Sequence, residues 1–147
     1  MAYQWGTNYY KTPAEEAGKV FKELEESIGL TARNLVDASR PEDAPLHKEF
    51  EWNDDIAAEK YREDQARKMI QALKIIVDDV NVAPVRAFVN IGEPTYEDIH
   101  IVISDEDKRQ RLFASAMREL NMFKRKYSAL EEFDALFKEI DRLEKEI

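Results

Sequence analysis

Apolar residues recur at helical spacing through most of the chain. Ala17, Val20, Phe21, Leu24 and Ile28 mark one face of a first helix. It opens at Thr12, where Thr12-Pro13-Ala14-Glu15 reads as a capping box with proline at the first helical position, and Gly29 stops it. A shorter second helix starts at the cap Thr31, with Leu30 and Leu35 placed to form a hydrophobic staple. It ends near Arg40, because Pro41 biases the preceding residue away from helical torsions, and Glu42-Asp43-Ala44-Pro45 reads as a turn. The third helix begins at the cap Asn53, followed by Asp54 and Asp55 where the helix dipole favours negative charge. Its apolar face is Ile56, Ala57, Tyr61, Ala66, Met69, Ile70 and Leu73, and the β-branched run Ile75-Ile76-Val77 before Asp78-Asp79 marks where it ends or frays.

Two short apolar runs then change the period. Val85–Ile91 and Ile99–Ile103, joined by Gly92-Glu93-Pro94-Thr95-Tyr96, predict a β-hairpin. A long fourth helix follows from Ser104, with Asp105, Glu106 and Asp107 in its first turn and Phe113, Ala116, Leu120, Phe123 and Tyr127 as its core stripe. Ser128-Ala129-Leu130-Glu131 reads as a second capping box, opening a last helix striped by Leu130, Phe133, Phe137, Ile140, Leu143 and Ile147. The fold class this predicts is mainly α (α+β), about five helices with one β-hairpin between helices 3 and 4. It is organised as a single domain over 1–147: an aromatic arm (1–11), a helical half (12–77), the hairpin (83–103) and a C-terminal helical pair (104–147).

Composition narrows the picture. At 147 residues, with 44% hydrophobic and 10% aromatic side chains, the chain suits one domain with a sizeable core. A net charge of −9 works against long-range attraction to nucleic acid or an anionic membrane. The chain has no cysteine, which excludes a disulfide framework and a thiolate zinc site. No long apolar run and no signal-peptide pattern occur, so the expected location is the cytoplasm, away from the membrane.

The densest stretch for chemistry is Pro45–Arg62. Leu46, Phe50 and Trp52 alternate with His47, Glu49 and Glu51, which predicts an extended segment with one apolar side: a plug locking helices 2 and 3, or a partner-binding surface. His47, Glu49, Glu51, Asp54 and Asp55 form an acidic group that dipole and capping already explain, so neither a metal nor acid–base catalysis is expected there. His100, inside an apolar strand-like run, reads as structural. The glycines make no phosphate-binding loop, and no cofactor or enzymatic activity is expected. Lys108, Arg111, Arg118 and Arg125 recur along helix 4. Each arginine lies about 160° from the core residue two positions on, so with Lys124 and Lys126 they form an outer cationic ridge. That ridge is a solvated face, a phosphate-backbone contact, or a match for the acidic half of another subunit. Candidate partner-binding residues are Trp5, Tyr9, Tyr10, Phe50, Trp52, Phe133, Phe137 and Ile140. Candidate nucleic-acid contacts are Lys108, Arg111, Arg118, Lys124 and Arg125.

Several stretches together carry a family likeness: Leu35-Val36-Asp37-Ala38, Ser39-Arg40-Pro41-Glu42-Asp43-Ala44-Pro45-Leu46-His47, Phe50-Glu51-Trp52 with Asp54-Asp55, Pro84-Val85-Arg86-Ala87-Phe88, and Phe123-Lys124-Arg125-Lys126-Tyr127. With these the chain resembles small proteins encoded by tailed phages and prophages of Gram-positive and gut bacteria. The resemblance implies a genomic setting, inside a host bacterium, and no mechanism. The expected function is that of a non-enzymatic phage accessory protein acting through self-association and partner binding, as a homo-oligomer with a phage or host protein as partner. Two alternatives stand beside it. One is a nucleic-acid-binding module using a helix-turn-helix-like N-terminal half and the basic ridge; the other is an acidic inhibitor of a host defence or nucleic-acid enzyme.

Overall fold

The computed structural model describes residues 2–53, 58–76, 83–92 and 94–146, and the chain is mainly α with small antiparallel sheets. Among the described residues the order is β1 (Tyr3–Trp5), α1 (Ala14–Glu26), α2 (Ala32–Ser39), a short 3-10 turn (His47–Glu49), α3 (Ala58–Ala72), β2 (Leu73–Ile75), β3 (Val85–Arg86), β4 (Phe88–Asn90) and β5 (Tyr96–Asp98). Then come α4 (Ile99–Ser104), α5 (Glu106–Tyr127), a second 3-10 turn (Glu131–Phe133) and α6 (Asp134–Glu144). Backbone contacts gather into two compact units, residues 1–101 and 102–147, where the sequence pattern gives a single domain. Asp54, Asp55, Ile56 and Ala57, expected in the first turn of the third helix, lie outside the described residues, as do Val77, Asp78, Asp79, Glu93 and Ile147.

In the first unit the arm becomes a strand. β1, β2 and β3 form an antiparallel sheet in that order, with Tyr3 opposite Ile75, Trp5 opposite Leu73 and Ile75 opposite Val85. The Gly6 amide extends the pairing to the Ala72 carbonyl at 2.7 Å, and the Ile76 amide reaches Ala2 at 2.9 Å. The sequence pattern reads Leu73 and Lys74 as helix. Pairing on both sides of β2 overrides that local preference, since the β-branched end of the run gains two ladders by leaving the helix. Tyr3 crosses α1 at Gly18, where its ring occupies the space a Cβ would fill. The ring also stacks on Phe88 at 6.5 Å, while Phe21 meets Phe88 edge-on at 5.6 Å.

Helix punctuation holds in part. Thr31 caps α2 by accepting the Asn34 amide at 3.0 Å, and Gly29 leaves α1 at φ +97°. α2 ends at Ser39, but Arg40, expected to be turned away from helical torsions by Pro41, keeps them at φ −62° and ψ −42°. Leu30 and Leu35 are both fully buried in the same cluster. The Thr12 capping box does not form: α1 starts after Pro13 with no side-chain cap, and the Glu15 carboxylate accepts the Tyr3 amide at 2.8 Å instead. Ile28 belongs to no core, being 68% exposed.

The hairpin exists but is displaced. β4 pairs with β5 (Phe88 opposite Asp98, Asn90 opposite Tyr96) around Gly92 at φ +109°, and Tyr96 also bridges Leu30. Ile99–Ile103, expected as the second strand, is instead helical, and His100 is exposed on that helix instead of buried in a sheet. Asp98 explains the switch. Its Oδ1 accepts the His100 amide at 2.7 Å, the bond a helix cap makes, and the Ile99 amide is already bonded to the Ala87 carbonyl.

The second unit is an antiparallel helical hairpin. Asp105 caps α5 through the Lys108 amide at 3.0 Å. Asn121 pairs with Glu144 at 3.2 Å and Lys124 with Asp141, which fixes the opposed direction of α6. Met117, Phe137 and Ile140 form the buried seam, edged by Leu120, Phe123, Tyr127, Phe133 and Leu143. The expected stripe holds in part: Leu120, Phe123 and Tyr127 pack on the seam, but its buried α5 residue is Met117, and Phe113, Ala116 and Leu130 are exposed. Ser128 does not cap. Its hydroxyl donates to Arg125 at 3.5 Å, and neither the 3-10 turn nor α6 has a side-chain cap.

The Tyr3–Gly18 contact yields a prediction with a definite sign. Alanine for glycine inside a helix ordinarily adds about 1 kcal/mol of stability, but a methyl group forced into a packed ring costs ~1–3 kcal/mol. Gly18→Ala therefore lowers the urea midpoint of the native chain. In a Tyr3→Ala background, where the space is open, the same substitution raises it.

Candidate binding surfaces

The aromatic turn is not an extended strip. The 3-10 turn at His47–Glu49 curls it, so that Leu46 and Phe50 are buried together in the core. Trp52 donates its indole N–H to the His47 carbonyl at 2.7 Å and lies nearly parallel to the His47 ring, 4.9 Å away and tilted by 5°. The guanidinium groups of Arg62 and Arg40 sit 5.1 and 5.9 Å from the Trp52 ring centroid, and Glu59 bridges both arginines. His47 Nδ1 faces the Ser39 carbonyl at 2.9 Å, so that nitrogen carries a proton, because a carbonyl only accepts. The assembly ties the end of α2 to α3. Cation–π contacts that lose water are worth up to roughly 2 kcal/mol each, and they engage the Trp52 ring within its own unit.

The acidic residues of the turn have structural roles. Glu49 Oε2 accepts the Lys11 and Thr12 amides at 2.9 and 2.7 Å, doing from a distance what the predicted capping box does not do locally. Glu51 accepts the Asn53 amide at 3.1 Å. Among the described residues no group of three or more histidines, aspartates and glutamates is placed to hold a metal ion.

The arm forms one side of a concavity. Trp5 donates its indole N–H to the Thr12 carbonyl at 2.7 Å, and Tyr10 packs on it at 4.4 Å. Tyr9 meets Tyr10 edge-on at 5.2 Å and is 71% exposed. Across from them α3 presents Tyr61, Asp64 and Lys68, and with Glu49 these residues line a cleft of about 640 Å³. That size falls within the usual range for ligand pockets, ~300–1,000 Å³. Tyr61, which the sequence pattern places on the buried face of α3, is 55% exposed and forms part of this wall.

Of the candidate partner-binding residues, Tyr9 is open, Trp5, Tyr10, Trp52 and Phe133 are half-buried, and Phe50, Phe137 and Ile140 are buried inside their own units. These last three have no surface left to offer a partner. In the second unit Phe133 and Phe137 pack with Phe123 at 5.5 and 6.4 Å. Along α5, Arg111, Arg118 and Arg125 are exposed on one side; Lys108 is half-buried, and Lys124 turns to the hairpin seam and pairs with Asp141. Lys124 thus leaves the ridge, and Met122, 62% exposed, takes a place between Arg118 and Arg125. Successive 100° steps put Lys108, Arg111, Arg118, Met122 and Arg125 within one outer stripe.

No family model, curated protein or solved structure matches the chain. No helix among the described residues is long and apolar enough to cross a membrane.

Burial gives this region a pH signature. The Tyr10 hydroxyl is held above its ordinary pKa by burial, with Tyr9 and Glu49 adding to it. Tyr3 is raised chiefly by burial and then by Asp98, partly offset by Lys22. A phenol whose folded pKa is raised contributes fully below about pH 10, where both states keep the proton. Above that the unfolded chain ionises first, and stability falls. Melting temperatures measured from pH 8 to 11 are expected to drop in the wild type and to drop less steeply in Tyr3→Phe/Tyr10→Phe.

Proposed function

We propose that this is a non-enzymatic binding protein that works by self-association and by docking to a protein partner, in a phage or prophage setting. The observation that carries the reading is the C-terminal helical hairpin. Two helices share one seam, and among the described residues it buries Met117, Phe137 and Ile140, with five further apolar residues only partly covered. Meanwhile Phe113, Met122, Leu130 and Leu136 stand in solvent on the same hairpin. A hairpin of this size closes little apolar surface by itself, and exposed large side chains beside a charged stripe are what protein interfaces use. The resemblance to small phage-encoded proteins supports a phage or host protein as the further partner, within the host bacterium.

Sedimentation velocity across micromolar concentrations tests this reading. Concentration-dependent association is expected, and a single monomer boundary throughout the range would sink it.

The exposed arginines of α5 favour one other reading, contact with a nucleic-acid backbone. Phosphate neutralisation makes affinity fall steeply with salt. A mobility-shift series from about 50 to 200 mM salt would then show a loss of at least roughly 10³-fold for six or more contacts. With the chain at −9 overall, the expected outcome is no retained complex even at the low-salt end.

A further inference from the structure

We infer that the tyrosine cleft of the first unit is a receptor for cationic side chains, and that its occupant is the arginine stripe of α5 from a second copy of the chain. This rests on the self-association proposed above and names the two surfaces that meet.

Charge separates the two units. Residues 1–101 carry 20 acidic and 12 basic side chains, while residues 102–147 carry 11 and 10. Nearly the whole net charge therefore belongs to the unit that holds the cleft. The cleft itself repeats that bias, with Glu49 and Asp64 against Lys68. Glu49 has one oxygen committed to the Lys11 and Thr12 amides, which fixes its carboxylate in place and leaves the other oxygen. Asp64 is held at 2.8 Å by Arg67 in a pair exposed on both sides, and water screens such a pair so that it binds weakly. Exchange for an incoming guanidinium therefore costs little.

Around these carboxylates stand Tyr9, Tyr10 and Tyr61. Tyrosine faces attract cations, guanidinium above all, because a planar, weakly hydrated ion can stack on a ring while its N–H groups reach a carboxylate. On the opposing surface, Arg118 and Arg125 project from one side of α5 about 10.5 Å apart, two turns of helix. Met122 between them supplies an apolar, adaptable centre. The surfaces differ from each other, and in a head-to-tail contact each copy offers one cleft and one stripe.

That asymmetry gives the test. Arg118→Glu/Arg125→Glu reverses the stripe and keeps the cleft; Tyr61→Ala/Asp64→Lys spoils the cleft and keeps the stripe. All four side chains are exposed, and circular dichroism melts check that both variants fold. In sedimentation velocity each variant alone is expected to associate at least about tenfold more weakly than the wild type. Mixed in equal amounts, they recover the wild-type affinity in a two-molecule complex, since one intact cleft then meets one intact stripe. If the wild type associates and the variants associate equally well, the cleft–stripe pairing is wrong while self-association stands. The pairing is equally wrong if both variants weaken but the mixture does not recover, because the stripe then meets some other surface. A wild type that stays monomeric removes both the pairing and the reading beneath it.

Discussion

A missing side chain governs the first unit. Because residue 18 is glycine, the Tyr3 ring can lie directly on α1 while β1 pairs with β2. From this one close approach follow the stack of Tyr3 on Phe88, the third strand of a sheet that would otherwise be a two-stranded ribbon, and the course of the chain from Trp5 to Tyr10. Two-stranded sheets are marginal in water. The wall of the tyrosine cleft is thus built on a contact that the arm makes with α1.

A buried polar network inside this unit centres on Asp98. Asp98 is nearly fully buried, and its two oxygens take the His100 amide at 2.7 Å and the Lys22 ammonium at 3.2 Å, while its own amide goes to Glu25. Burial works against the Lys22 charge, but the hydrogen bonds to Glu25 and Asp98 outweigh it and hold the lysine above its ordinary pKa. Such a network adds little net stability over an apolar replacement, and breaking one member costs several kcal/mol. Its structural result is directional: it turns the chain out of β5 and into α4, a choice that Ile99, Ile101, Val102 and Ile103 would not make on propensity. The Trp52 assembly does the corresponding work between α2 and α3, where Arg62 also donates to the Glu51 carbonyl at 3.1 Å.

Legibility in the sequence tracked the range of the interaction. Signals read by neighbours within a turn were visible: the Thr31 cap, the glycine at 29, and the apolar faces of α1 and α6. What distant residues decide was not. Leu73-Lys74-Ile75 becomes a strand because β1 and β3 flank it. Thr12 loses its capping box because Glu49, far along the chain, takes its amide. The seam of the second unit selects Met117 over Phe113 because α6 covers α5 only in part, a matter of helix length and not of periodicity. Of the candidate surfaces, the outward-facing arginines of α5 were legible. The cleft was not, because its walls come from the arm and from α3, and Tyr61 shares the spacing of buried neighbours.

The pairing of β1 with β2 also sets an order of events. The partner of Tyr3 is Ile75, so the intervening helices must be made before the arm has anywhere to bind. Closing so long a loop comes late, after the local contacts have formed. The α5–α6 hairpin, by contrast, joins neighbours, and contacts of such low order form early. During synthesis, then, the arm leaves the ribosome ahead of its seat, and Trp5 and Tyr10 stay wet until β2 emerges.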